Sequence, residues 1–115
     1  MYILLVEDNP TDSHFMQRIL LQNQHEVMTF DKATNALECA QKRQPDVLIT
    51  DYHLAQSANG LQLAAEIRRL YLRCVIIVVS ASIGLVQARQ GIHIGIDDLV
   101  EKPIRGDQSM KSTPG

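Results

Sequence analysis

Residues 2–10 read YILLVEDNP: five apolar positions in a row, then two adjacent carboxylates, Glu7 and Asp8, then an Asn-Pro break. A run apolar toward both faces fits a strand buried on both sides, not one with a wet face. Downstream the period of the apolar residues keeps changing. Thr11 or Asp12 can cap a helix in which Phe15 and Ile19, and Met16 and Leu20, are spaced to share a face. HEVMTF at 25–30 reads as a second strand, and Ala33, Ala36, Leu37 and Ala40 give the next helix a small-residue stripe that can approach a sheet closely, with Pro45 ending it. DVLIT at 46–50 is a third strand, Gly60 opens a helix with Leu63, Ile67, Leu70 and Tyr71 on one face, and CVIIVVS at 74–80 is a fourth strand. Residues 83–93 then read as a short helix with Leu85, Ala88 and Ile92 inward, and DLVE at 98–101 as a fifth strand. Strands of this kind alternating with helices call for a parallel sheet covered on both faces, so the fold class is α/β, doubly wound.

Composition narrows the function classes. A chain of 115 residues with 45% hydrophobic content can build one core but not two. No apolar run approaches the roughly 18 residues that cross a bilayer, and Met1 leads into YILLV without a basic leader. The expectation is a soluble, cytoplasmic domain without membrane contact. Eleven Lys and Arg against thirteen Asp and Glu give a net charge of −2, which lacks the basic footprint of a direct nucleic-acid binder. Cys39 and Cys74 have no CxxC spacing, which speaks against a disulfide framework or a zinc site. His14, His25, His53 and His93 are dispersed without ligand spacing.

In open α/β sheets, chemistry collects outside the carboxyl ends of the strands, near a switch in strand order. Strand one ends in Glu7 and Asp8, strand three in Asp51, strand four in Ser80, and Lys102 and Pro103 follow strand five. Carboxylates brought together at one edge repel each other, and at least one pKa rises unless positive charge enters. Mg²⁺ suits such a site, because it takes hard oxygen ligands and completes its shell with water and phosphate oxygens. Asp51 then suits the role of a carboxylate nucleophile in phosphoryl transfer, with Lys102 and Ser80 meeting the transferred oxygens.

LLVEDN with Glu7 and Asp8, PDVLITD with Asp51, NGLQLAAEIR, VVSA with Ser80, and DDLVEKPI with Lys102 and Pro103 together give residues 2–104 a resemblance. The chain resembles the receiver domains of two-component response regulators. That resemblance implies a flavodoxin-like, five-stranded sheet of order 2-1-3-4-5, with a receiver at 1–104 and a polar tail at 105–115. It implies Mg²⁺ on Glu7, Asp8, Asp51 and the backbone carbonyl of His53, and a phosphoryl group passed to Asp51 from a histidine kinase or phosphotransfer protein. Ser80 would reorient toward that group and Lys102 would contact it. Such a domain catalyses its own phosphorylation and dephosphorylation and turns over no other substrate, so it is not an enzyme in the usual sense. The segment DYHLAQSANG at 51–60, with a long loop, is similar to receivers attached to hybrid sensor kinases.

Two features depart from the family pattern. Leu99 stands three residues before Lys102, where many receivers carry Tyr or Phe, so the usual inward-moving ring is absent from that position. RGDQSMKSTPG at 105–115 has no apolar stripe, so the last helix is expected to be missing or truncated. Apolar surface beside the first helix and the edge strand would then await a partner chain such as a second copy in a homodimer, a swapped element or a region outside this sequence.

Plainer readings compete with these assignments. A carboxylate pair after a strand can be a solvated helix start, a lone Asp a turn residue, and Arg68 and Arg69 a solvated helix face; Cys39 and Cys74 read as packing residues. His53, two residues past Asp51, could shield an acyl phosphate or orient water. Rival functions are a Mg²⁺-dependent aspartyl-phosphate phosphatase, which usually needs an acid where this chain has His53, and a receiver-like interaction module that works without phosphate. A nucleotide-binding fold fits less well, because EDNPTD at 7–12 holds no glycine-rich phosphate loop.

Overall fold

The computed structural model describes residues 1–54, 59–81 and 84–102, without the side chains of residues 85 and 86. Its elements are β1 (Tyr2–Val6), α1 (Pro10–Gln22), β2 (Glu26–Phe30), α2 (Ala33–Lys42), β3 (Val47–Asp51), α3 (Gly60–Leu70), β4 (Val75–Ser80), α4 (Leu85–Ile94) and β5 (Asp98–Glu101). All strand pairs are parallel, in the order β2-β1-β3-β4-β5. This is the doubly wound sheet expected from the alternation of the sequence. The strand order reverses between β1 and β3, so the carboxyl ends of those two strands frame the crevice of the sheet.

Every residue of β1 is buried, whereas the edge strand β2 is only partly covered, with Met28 exposed. Tyr2, Leu4 and Val6 point into the main core, where they join Leu48, Ile76 and Val78 from the sheet. The small residues Ala36 and Ala40 of α2, and Leu63, Ala64 and Ile67 of α3, close that face. Each fully buried Leu or Ile here contributes about 1.5–3 kcal/mol of apolar transfer energy. Met16 is the buried residue of α1, which packs on the β1–β2 side.

Local chemistry sets the helix ends. The cap of α1 is Asn9, not Thr11 or Asp12: its Oδ1 accepts from the amides of Thr11 (2.9 Å) and Asp12 (3.1 Å), and Pro10 takes the first helical position. Helix α2 ends at Lys42, before Pro45, because Arg43 is already extended. Asn59 and Gln62 form a reciprocal capping box at the start of α3. Gly95, at φ 92°, terminates α4 in the left-handed conformation that glycine adopts without strain.

Three helical readings need correction. Leu70 is 46% exposed and Ile92 80% exposed, so neither joins the core; the inward positions near the end of α4 are Gly91 and Ile94. Arg68 is not a solvated side chain. It lies only 18% exposed, and its guanidinium donates to the carbonyls of Leu72 (2.9 Å), Cys74 (2.7 Å) and Gly95 (3.0 Å) and to Asp97 Oδ2 (2.8 Å). It thereby ties the end of α3 to the turn before β4 and to the α4–β5 turn. Arg69 does face solvent, paired with Glu66. The expectations for the 51–60 loop at residues 55–58, for Pro103, for the polar tail and for a missing last helix fall outside the described residues.

Candidate acidic phosphoacceptor site

The backbone delivers the polar side chains to one edge. The amide of Glu7 donates to Phe30 O (2.9 Å), which carries the β1–β2 ladder one residue past the apolar run. At the end of β3 the Tyr52 amide bonds Val79 O (2.7 Å), and the Lys102 amide bonds Ser80 O (2.7 Å), which fixes the lysine beside the end of β4. Gly60 sits so close to β3 that a Cβ there would lie 1.9 Å from the carbonyl oxygen of Asp51. Only a glycine allows α3 to start at that distance.

Glu7, Asp8 and Asp51 each place a carboxylate oxygen within 4.8 Å of the others. Glu7 is 3% and Asp51 8% exposed. Lys102 reaches into the group, donating to Glu7 Oε1 (2.6 Å), Asp12 Oδ2 (3.2 Å) and Asp51 Oδ2 (3.4 Å). One ammonium thus faces three carboxylates, from the residue after β1, from α1 and from β3. Burial pushes the Glu7 carboxyl up to about 7; the Lys102 hydrogen bond and the Asn9 amide pull it down, and the Asp51 charge adds to the rise. Burial also works against the Lys102 charge, yet Glu7, then Asp12 and Asp51, outweigh it and hold the ammonium well above the usual lysine range. The two partners of the ion pair therefore differ: the lysine stays charged, while the glutamate is stabilised only in part.

A small, hard cation fits this donor set. The three clustered acids are oxygen donors, and the Lys102 ammonium contacts two of them, Glu7 and Asp51. Ser80 is buried at the end of β4, with its neighbour Val79 paired to Asp51. His53 is exposed and packs edge-on against the Tyr52 ring, 4.6 Å between centroids. Leu99 is half-buried against the core. Two participants escaped the sequence reading. Asp12 reads from the sequence only as a cap, although an acid in the first turn of a helix that starts at the acidic edge is the available signal. Tyr52, next to Asp51, donates its hydroxyl to Gln90 Oε1 on α4 (3.0 Å), a link that no local pattern announces.

Comparison with known proteins gives a consistent picture. The family model described as "Response regulator receiver domain" matches residues 3–113. The two-component response regulator ORR24 of Oryza sativa is 32% identical over 110 residues, covering 94% of this chain and 17% of that protein. KdpE, a transcriptional regulatory protein of Staphylococcus aureus, is 33% identical over 106 residues, covering 92% of this chain and 45% of that protein. The chain therefore spans less than half of the length of either relative. Among solved structures, the Vibrio cholerae chemotaxis protein CheY4 superimposes with a TM-score of 0.85 at 22% identity, over 96% of this chain and 92% of that one. A Burkholderia pseudomallei response regulator, solved with a phosphorylated aspartic acid, calcium ion and citrate, gives 0.83 at 22% identity, over 97% of this chain and 65% of that one. At these identities the two structures attest to the fold.

Proposed function

The chain belongs to the response regulator receiver family, and on that premise we propose that Asp51 accepts a phosphoryl group from a phosphohistidine on a histidine kinase or phosphotransfer protein in the cytoplasm. The observation that carries the reading is the placement of the Asp51 carboxylate at the strand-order switch, beside Glu7 and Asp8 and 3.4 Å from the Lys102 ammonium.

In the step itself an Asp51 carboxylate oxygen attacks phosphorus, and a P–O bond forms. The P–N bond to the donor imidazole breaks, its electron pair stays on the nitrogen, and that nitrogen takes up a proton. Lys102 and the Ser80 hydroxyl meet the transferred oxygens, where fixed donors are worth most. Glu7, Asp8 and Asp51, with the His53 carbonyl, would hold Mg²⁺. When bound, that ion neutralises the charge crowded between the acids and the phosphoryl oxygens. The receiver occupies 1–104 and a polar tail 105–115. Phosphorylation then biases a two-state equilibrium read by a partner at the α4–β5 surface, with a coupling of about 1–3 kcal/mol.

Intact-mass spectrometry after incubation with acetyl phosphate tests this. The expected result is one phosphate adduct that requires Mg²⁺, is removed by hydroxylamine, and is absent in Asp51→Asn. A folded wild type that takes no adduct would leave a phosphate-independent interaction module as the better reading.

A further inference from the structure

An ammonium has three N–H donors and no acceptor. In Lys102 all three are engaged, by Glu7 at 2.6 Å, Asp12 at 3.2 Å and Asp51 at 3.4 Å. Glu7 and Asp51 belong to the acidic cluster; Asp12 does not. Asp12 is held where it is by its own helix. Its amide donates to Asn9 Oδ1 (3.1 Å), which places it in the first turn of α1, where the helix dipole favours a negative side chain. The contact to Lys102 is shorter than that from Lys102 to Asp51.

We infer that Asp12 is a positioning residue for Lys102: it takes one ammonium donor in the unphosphorylated protein, and that donor must be released before Lys102 can serve the phosphoryl oxygens on Asp51. The inference rests on the phosphoacceptor reading above. Asp12 touches no reacting atom. It sets how readily the lysine leaves its resting position, and so tunes the phosphorylation rate. Because the Asp12 side chain is 42% exposed, the pair is modest in strength. Asp12→Asn should therefore raise the rate of labelling by acetyl phosphate about threefold, a change on the scale of one partly exposed ion pair.

Loss of a nearby negative charge would by itself favour an anionic donor, so the rate alone does not suffice. Labelling rates are measured for the wild type, Asp12→Asn, Lys102→Met and the double variant, all in Mg²⁺, with Asp12→Ser as a second neutral replacement in case the Asn variant folds poorly. Acceleration that appears with Lys102 and vanishes with Met at 102 supports the inference. Equal acceleration in both backgrounds, or none in either, overturns it. The ¹⁵N-resolved signal of the Lys102 ammonium in metal-free protein is a readout independent of phosphorylation. It should move in Asp12→Asn, and an unmoved signal also overturns the inference. If the wild type takes no label at all, the phosphoacceptor reading fails, and this signal still decides whether Asp12 positions the lysine.

Discussion

Replacing Arg68 separates a structural staple from a surface charge. In Arg68→Ala the carbonyls of Leu72, Cys74 and Gly95 and the Asp97 carboxylate each lose a charged donor, at 2.9, 2.7, 3.0 and 2.8 Å. A hydrogen bond to a charged group is worth about 1.5–3 kcal/mol when shielded. Leu72 is 83% exposed, so water can serve its carbonyl, and the Asp97 side chain is 48% exposed, which screens its ion pair. The Cys74 carbonyl, on a residue 1% exposed, is the one left worst off. With those discounts the loss should be about 3 kcal/mol, or roughly 10 °C in the midpoint of a domain of this size. Arg68→Lys keeps the charge but cannot span both turns with one compact ammonium, so about half of that loss should remain. Arg69→Ala, at a side chain 74% exposed, should stay within about 0.5 kcal/mol of the wild type. Urea unfolding followed by far-UV circular dichroism suits a chain without tryptophan. An Arg68→Lys variant as stable as the wild type, or an Arg68→Ala variant no weaker than Arg69→Ala, would refute the staple.

Gly60→Ala should cost about 1–3 kcal/mol by overpacking, although alanine is the better helix former, because its Cβ would meet the Asp51 carbonyl at 1.9 Å; urea midpoints with an unchanged slope check this, and acetyl phosphate labelling of Asp51 should slow as well. Mg²⁺ at about a hundred times its dissociation constant should stabilise the protein by roughly 2.7 kcal/mol, and calorimetry should find that shift lost in Asp8→Asn and reversed by EDTA. Burial raises the Cys74 thiol from 9.0 to about 11, and burial followed by the Cys39 contact raises the Tyr2 phenol from 10.0 to about 12. Both groups are neutral when protonated and have raised folded values, so the contribution of Cys74 is complete below pH 9 and is lost as pH rises toward 11, by about 2–3 kcal/mol for this buried thiol, and that of Tyr2 is complete below pH 10 and is lost toward pH 12, by less because its hydroxyl is only part-buried. Urea midpoints should therefore fall between pH 9 and 12, and Cys74→Ala should flatten the lower part of that fall.

The sequence by itself determined the α/β alternation and the placement of polar residues at strand ends, because strands buried on both faces must be continuously apolar and helices must show a striped period. Glu7, Asp8, Asp51, Ser80 and Lys102 could be named from those strand ends alone. What it could not determine were relations across the sheet. Ile92 has a helical period that fits an inward face, but the rotation of α4 is set by how it packs, and the structure turns that residue to solvent. Arg68 beside Arg69 looks like a charged surface pair, since its acceptors at 95 and 97 are distant in sequence. Asp12 reads as a capping residue until the end of β5 brings Lys102 within 3.2 Å of it. Local sequence carries hydrophobic period and turn chemistry, whereas an ion pair between residues 90 positions apart exists only once the strand order has brought the ends of β1, β3 and β5 to one edge.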